Sequence, residues 1–242
     1  RYLGGSLESF GSVNAADSLA AIKYVVYDQK RMSPDRLIEV LDHNFVGYEK
    51  EHRLLLDAPK YGNDDAYADR VMVELHDFIC HTIRDQRDRT HLDWYLNVLI
   101  NNKQNTILGR WVGATADGRK AGDAMANGNT PPGGNDKKGV TALINSLVKP
   151  SHPIHAGAVQ NMRFGREFFT EDRDKFEALL ETYFKKGGPQ AMITVINKGD
   201  LEKALVEPEK YQEMFVRIGG FSARYIDLPR DVQLEILSRH TY

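Results

Sequence analysis

Cysteine is almost absent from this sequence, since Cys80 is the only one among 242 residues. An internal disulfide is therefore excluded, and a reducing compartment fits. An excess of one charge is also missing, because 32 basic residues oppose 34 acidic ones for a net charge of −2. We therefore expect neither a nucleic-acid partner nor a charged membrane surface. No apolar run approaches the length needed to cross a bilayer, so we expect no membrane-spanning segment.

An initial methionine is missing too, because the sequence starts at Arg1. We expect the chain to be a piece of a longer protein or one subunit of it. The residues that are present are typical of a soluble globular protein, with 41% hydrophobic and 27% charged. The length suffices for one large domain or two small ones.

Apolar residues at helical spacing predict several helices with start signals of their own. Ser33 and Pro34 suit the cap and first turn of one helix. Asn14, Thr170 and Asp227 are the expected N-caps of three others. Further predicted helices cover residues 45–56, 67–87 and 140–148, the helix after Thr170 runs over 171–186, and residues 191–196 form a β-branched strand. The residues expected to face inward include Leu19, Val71, Leu75, Phe78, Phe184 and Leu234.

Two histidine-containing pairs are candidates for a metal site. His76 and Cys80 can share one helix face, and His152 and His155 flank a proline in a loop. A zinc site needs further ligands, and the sequence marks none. We therefore predict no metal site and interpret Cys80 as a buried structural residue.

Two stretches rich in glycine, proline and asparagine predict loops. Arg119 follows the turn signal at Asp117 and Gly118. Its planar fork can bind an anion, but an internal structural ion pair is the interpretation we prefer. Residues 127–138 are the most turn-rich part of the chain, and composition alone leaves open whether they form an exposed connector or pack against another segment.

Residues 217–225 read Arg-Ile-Gly-Gly-Phe-Ser-Ala-Arg-Tyr, with an apolar run on either side. Two adjacent glycines between short apolar runs predict a strand, a tight turn and a second short strand. Glycine supplies backbone angles that are closed to other residues. The spacing alone therefore predicts a hairpin and no particular chemistry.

The same residues resemble the C-terminal signature of the glycyl radical enzymes, in which an Arg and a β-branched residue precede a small residue, the radical glycine and an aromatic. The resemblance places the radical at Gly220, with Arg217, Gly219, Phe221 and Ser222 as the supporting loop. Phe221 stands where many members carry Tyr. Similar motifs at residues 14–22, 59–64 and 115–122 extend the resemblance from residue 11 to residue 239, although residue 116 is Ala where the family usually has Pro.

The resemblance implies an α/β fold, namely the C-terminal part of a ten-stranded α/β barrel with an inserted glycyl radical loop. Residues 1–112 would belong to the barrel domain and residues 113–242 to the glycine radical domain, with the 127–138 loop close to the glycyl loop. A radical on Cα needs a planar centre, which a Cβ would crowd. Because such a radical is sensitive to oxygen, we expect the loop to be buried.

The implied function is the radical-bearing part of a lyase (dehydratase, decarboxylase, carbon–nitrogen or carbon–sulfur lyase) that acts on a small organic substrate. A separate activating enzyme, with an iron–sulfur cluster and S-adenosylmethionine, would install the radical on Gly220, and the chain itself would bind no cofactor. The radical would pass to a cysteine thiol on the remainder of the enzyme, either upstream in the same chain or on a second subunit. Cys80 does not match, because it lies on a predicted helix and not in the Gly-Cys loop of the family. The implied setting is an oligomer in the cytoplasm of an anaerobic bacterium or archaeon, or in a microcompartment.

Other functions remain open from the sequence. The segment around Gly220 is more similar to the lyase, decarboxylase and succinate-synthase branches than to pyruvate formate-lyase. A fumarate-adding synthase of the benzylsuccinate type is therefore an alternative. A radical-repair subunit and a non-catalytic structural subunit are the other two.

Overall fold

A parallel three-stranded sheet joins the beginning of the chain to its middle. The computed structural model describes residues 3–100, 103–150 and 152–242, without the side chain of His152. Strands β1 (Gly4–Glu8), β2 (Trp94–Leu99) and β3 (His155–Ala158) lie side by side in that order. Gly4 pairs with Trp94, and Asn97 pairs with His155. Parallel strands need a long crossover, and here four helices connect β1 to β2: α1 (Ser12–Ala21), α2 (Pro34–Asp42), α3 (Glu49–Leu56) and α4 (Ala66–Arg84).

Two of these helices begin at caps that the sequence encodes. The Ser33 side chain accepts a hydrogen bond from the Arg36 N–H at 3.1 Å, with Pro34 in the first turn of α2, which confirms that prediction. Asp65 caps α4 by accepting from the Tyr67 N–H at 2.9 Å. Each cap satisfies one of the N–H groups that a helix start leaves unpaired.

The prediction that Asn14 caps α1 is wrong. The helix begins at Ser12, after Gly11 in a left-handed conformation with φ of 69°. Asn14 lies inside the helix and is buried. Its side-chain amide has two partners that are distant in sequence, and they satisfy its hydrogen bonds. It donates to Asp117 at 2.7 Å and accepts from the Ala126 N–H at 2.7 Å. The chain then continues as a π-helix over Ile22–Asp28.

Three other helix starts also differ from the prediction. The helix expected over 45–56 begins only at Glu49, because Asn44 and Phe45 have φ of 50° and 65°. Helix α7 (Arg173–Lys185) begins after Asp172 rather than at a Thr170 cap. Helix α9 (Arg230–Ser238) follows Pro229 with no side-chain cap, and the Asp227 carboxylate instead pairs with Arg224 at 2.8 Å.

Some predicted inward faces are rotated. On α4 the predicted Ile83 is buried and the predicted Val71 and Leu75 are half-buried against the core, but the other large buried side chains are Met72, His76 and Cys80, each one residue after a predicted position. Because a one-residue shift turns a helix face by about 100°, side chains expected in the core reach the surface. Those that are exposed are Leu19, Phe78, Phe184 and Leu234.

The second half of the chain contains two small sheets. Strands β4 (Asn161–Phe164) and β5 (Met192–Val195) are parallel and connected through α7, and β5 confirms the predicted strand. Strands β6 (Phe215–Arg217) and β7 (Ser222–Arg224) form an antiparallel hairpin. Helices α5 (Gln104–Gly109), α6 (Val140–Leu147) and α8 (Lys198–Ala204) complete the element order. The fold is mixed α/β as expected, while the described strands form sheets of three, two and two, so the ten-stranded barrel stays a prediction.

The hydrophobic core of the described residues falls into separate clusters. One lies between α4, α6, α7 and the β4 strand and contains Tyr61, Met72, Leu143, Phe164 and Tyr183. A second is built by α2, α3 and the π-helix. The third belongs to the C-terminal part alone and contains Leu201, Val216, Ile218, Tyr225 and Ile236. The hairpin, α8 and α9 therefore share one core. Within the described ranges no helix combines the length and apolarity that a membrane crossing requires.

Candidate active site

The β6–β7 hairpin has a two-residue turn at Gly219 and Gly220, as the paired glycines predict. The Ile218 N–H donates to the Phe221 carbonyl at 3.0 Å and closes the turn. At the open end of the hairpin, the Tyr225 N–H donates to the Met214 carbonyl at 2.8 Å. Backbone hydrogen bonds thus hold the hairpin at both ends, so the geometry of the turn does not depend on the two glycines alone.

Gly220 has a φ of 107°, and a Cβ built on it would meet no atom within 4 Å. Backbone conformation, rather than crowding, therefore requires glycine here. Gly219 is buried, whereas Gly220 and Phe221 are exposed, Phe221 by 47%. The expectation of a buried loop is wrong for the described residues. The apolar face of the hairpin, Val216 and Ile218, covers the C-terminal core, so the tip is left uncovered.

Arg217 and Ser222, two of the predicted loop residues, are brought into contact. Arg217 Nη1 donates to Ser222 Oγ at 3.2 Å across the hairpin. Nη2 lies 3.4 Å from the Met192 sulfur, and the Arg217 N–H donates to Thr194 Oγ1 at 3.1 Å. Met192 and Thr194 both belong to β5. These two residues could not be identified from the sequence, because a β-branched strand gives no indication of which residues, here more than 20 positions later, will contact it.

Helix α9 supports the hairpin from the other side. Tyr225 Oη donates to the Gln233 carbonyl at 3.0 Å, and Gln233 Nε2 donates to the Tyr225 carbonyl at 2.9 Å. Burial raises the pKa of the Tyr225 hydroxyl to about 12, so it stays a donor at neutral pH. This reciprocal pair fixes α9 to the residue that directly follows β7.

The loops around residues 113–138 are held by buried polar contacts. The predicted ion pair of Arg119 is wrong, because its guanidinium donates to main-chain carbonyls, those of Lys120 at 3.0 Å and Asp123 at 2.8 Å among them. Asp117 accepts instead from Asn14 and from the Arg119 N–H at 3.2 Å. Arg119 therefore shapes this loop from within and does not offer its fork to a ligand.

The 127–138 loop packs against α9. Gly133 lies so close to Ser238 that an added Cβ would meet the Ser238 carbonyl at 2.7 Å. The Tyr242 hydroxyl bonds to the Asp136 carboxylate. A cleft of about 460 Å³ lies between the 117–135 loop and α9, with Arg110, Asp123, Asn127, Asp231 and Glu235 among its lining residues. The contacts described here join this loop to α9 and the C-terminal residues, and its proximity to the glycine turn stays a prediction.

Cys80 lies on α4 in a buried polar group. Its Sγ is 3.5 Å from His76 Nε2, and Asn97 Nδ2 donates to it at 3.5 Å. Burial raises the pKa of the thiol, which therefore stays protonated at neutral pH. The rings of His76 and His155 lie 5.2 Å apart, edge to face, while the side chain of His152 lies outside the described residues. Among those residues, no cluster of three or more His, Cys, Asp or Glu side chains can hold a metal ion.

Comparison with known proteins gives this geometry a context. The family model described as Glycine radical matches residues 125–226, which include the hairpin, and the model described as Pyruvate formate lyase-like matches residues 1–105. The chain belongs to the glycyl radical enzymes. Together the two family models leave only residues 106–124 and 227–242 unmatched.

Individual glycyl radical enzymes are similar over nearly the whole chain. Trans-4-hydroxy-L-proline dehydratase of Clostridioides difficile is 32% identical over 99% of this chain, and isethionate sulfite-lyase of Bilophila wadsworthia is 34% identical over 97%. The structure of the B12-independent glycerol dehydratase from Clostridium butyricum superimposes with a TM-score of 0.94 at 32% identity, covering 100% of this chain and 31% of that one. The chain spans 30% and 29% of the lengths of the two curated relatives.

Proposed function

We propose that Gly220 carries a stable radical and that this chain is the radical-bearing part of a lyase acting on a small organic substrate. The observation that carries the proposal is a tight turn with φ of 107° at Gly220, inside the segment that the glycine radical family model matches. A dehydratase and a sulfite-lyase among the similar proteins support a lyase. The family reading of Arg217, Gly219, Phe221 and Ser222 as the supporting loop belongs to the same proposal.

The chemistry needs one hydrogen atom to move at each step. An activating enzyme with an iron–sulfur cluster and S-adenosylmethionine removes one hydrogen from the Gly220 Cα. Amide nitrogen and carbonyl on either side delocalise the remaining electron when they are coplanar with Cα, which the lack of a Cβ permits. The Gly220 radical then takes the hydrogen of a cysteine thiol, and the resulting thiyl radical takes one from the substrate. The product radical recovers a hydrogen from the same thiol, and the thiyl radical that remains takes back the hydrogen of Gly220, so the cycle returns to the Gly220 radical.

The thiol in this scheme is supplied by a part of the enzyme other than this chain. Cys80 is enclosed between α4 and β2, and its hydrogen-bond partners are His76 and Asn97. The exposed tip at Gly220 and Phe221 supports the same division. A radical that reacts with oxygen needs cover, and a cysteine-bearing remainder that closes the barrel over the tip supplies both cover and thiol.

The decisive experiment is electron paramagnetic resonance after anaerobic activation. The chain and its cysteine-bearing remainder are incubated with an activating enzyme and S-adenosylmethionine. We expect a doublet, because one hydrogen remains on the Gly220 Cα. The doublet should be lost in Gly220→Ala and kept in Gly134→Ala, a matched control with φ of 83° and equally open surroundings.

Three outcomes contradict the proposal. A doublet that persists in Gly220→Ala places the radical elsewhere. A missing doublet in the parent protein, with an activating enzyme that works on another glycyl radical enzyme, leaves a structural subunit. Transfer of the radical to a damaged full-length enzyme, without a stable complex with a cysteine-bearing partner, indicates a repair subunit instead.

A further inference from the structure

Arg163 is a buried cation at the C-terminal end of α9. It belongs to β4 and is only 2% exposed. Its Nε donates to Thr241 Oγ1 at 2.6 Å, and Nη1 donates to the Ile236 carbonyl at 2.7 Å. Nη2 donates to the Leu237 carbonyl at 3.4 Å and to the Arg239 carbonyl. One guanidinium thus holds four acceptors that all lie within residues 236–242, the last seven of the sequence.

These acceptors, three carbonyls and one hydroxyl, suit a cation, and the carboxylates of Glu235 and Asp136 act on it through their charge. The carbonyls at the C-terminal end of a helix have no partner within the helix and carry a partial negative charge. Burial, together with the charge of Arg239, lowers the pKa of Arg163 to about 10, so the guanidinium remains charged at neutral pH. A buried charge is costly to keep. Only a side chain with several fixed donors can satisfy so many carbonyls at once, which a lysine cannot do.

Other contacts of β4 and β5 connect Arg163 to the hairpin that carries the turn at Gly220. Arg163 pairs in register with Thr194 of β5, whose hydroxyl accepts the Arg217 N–H at 3.1 Å. Helix α9, whose C-terminal end Arg163 holds, is hydrogen-bonded through Gln233 to Tyr225, the residue directly after β7. The β4–β5 sheet therefore holds β6 through Thr194 and the end of β7 through Arg163 and α9.

We infer that Arg163 is a positioning residue for the radical glycine: by fixing the C-terminal end of α9 it sets where the turn at Gly220 stands relative to the thiol. This inference rests on the proposed function. It is not a catalytic role, since Arg163 contacts neither Gly220 nor a reacting atom. Its effect should appear in hydrogen transfer between Gly220 and the thiol, which depends steeply on distance.

Exchange in D₂O measures that transfer without a known substrate. In D₂O the thiol carries deuterium, so each reversible transfer can replace the remaining Cα hydrogen of Gly220 by deuterium. The doublet then collapses towards a single line. In the complete enzyme, we expect Arg163→Met to slow this collapse about tenfold or more per radical, with Arg163→Lys affected in the same direction. Arg173→Ala is the control, because Arg173 pairs with Glu177 within α7 and its side chain is 71% exposed, and it should leave the rate unchanged.

The results separate positioning from stability and from failure of the proposed function. An unchanged collapse rate in both Arg163 variants, with only a lower Tm, overturns the inference. If Arg163→Met does not fold, the Arg163→Lys rate decides alone. Loss of radical formation in a variant with an unchanged circular dichroism spectrum supports positioning, because the turn must also be presented to the activating enzyme. No doublet in the parent protein refutes the proposed function and not the role of Arg163 in the fold.

Discussion

At Gly220 the requirement for glycine comes from one backbone angle. Because a Cβ there meets nothing within 4 Å, Gly220→Ala should cost only the strain of a positive φ, about 1–2 kcal/mol of the free energy of unfolding. Gly134→Ala, with the same kind of angle and the same open space, should cost a similar amount. Urea denaturation of the two variants checks this. A much larger loss in Gly220→Ala than in Gly134→Ala would show that the turn has neighbours that the structure lacks.

Asp17 is another single residue with a measurable consequence. It is fully buried on α1 and accepts the Tyr61 N–H at 2.8 Å. Burial raises the pKa of its carboxyl from 3.8 to about 7, and the nearby Asp117 adds to the rise, while Lys60 opposes it. Between pH 4 and pH 7 the folded chain therefore keeps a proton that the unfolded chain has released.

The sign of the pH effect follows from this difference in bound protons. The unfolded state binds fewer protons in that window, so stability should fall as pH rises, by up to about 1.4 kcal/mol per pH unit. Asp17→Asn keeps an oxygen acceptor for the Tyr61 N–H and removes the titration. Its stability, measured by urea denaturation from pH 5 to pH 7.5, should lose this part of the slope relative to the parent. Parallel pH profiles for the two proteins contradict the assignment.

At the level of elements, the hairpin depends on β5 for its placement. Thr194→Val keeps the shape of the side chain but removes the acceptor of the Arg217 N–H, which lies 3.1 Å from the hydroxyl. Leaving this amide without a partner should cost about 1–2 kcal/mol and speed its hydrogen exchange. Thr194→Ser retains the hydroxyl and serves as the control. Equal exchange of the Arg217 amide in both variants would show that the hairpin does not rely on this bond.

Elements whose signals are local could be predicted from the sequence, and those set by distant partners could not. Ser33 and Pro34 mark a helix start within four residues, and the adjacent glycines 219 and 220 mark a turn. Asn14 has the same capping chemistry, yet its amide serves Asp117 and Ala126, more than 100 positions away. Arg119 departs from its prediction for a different reason, because its partners are main-chain carbonyls of its own loop, and a carbonyl carries no residue-type signal. A polar residue type indicates that a buried side chain needs a hydrogen-bond partner, but it does not indicate which residue that partner is.

At the scale of the whole molecule, burial of the glycine turn depends on parts of the enzyme beyond the residues of this chain. The turn motif could be found in the sequence, but its expected burial is not met, because Gly220 and Phe221 are exposed on the described surface. The parallel strand β1 is similar: in the part of the chain that the structure describes, only one of its edges is paired, with β2, and Leu7 is 41% exposed. Parallel sheets are normally covered on both faces. In the function proposed above, both surfaces are where a cysteine-bearing remainder would close the fold.

Hydrogen exchange of the chain alone and in the complete enzyme tests this division. We expect the amides of residues 4–8 and 219–222 to gain protection together, by at least about tenfold, because a closed barrel gives β1 a second neighbour and covers the turn. The exposed loop at Gly134 is the internal control and should exchange at the same rate in both states. Protection at β1 without protection at the turn would mean that the remainder extends the sheet but leaves Gly220 open to oxygen. In that case the cover would have to come from elsewhere, and the radical assignment would lose its structural support.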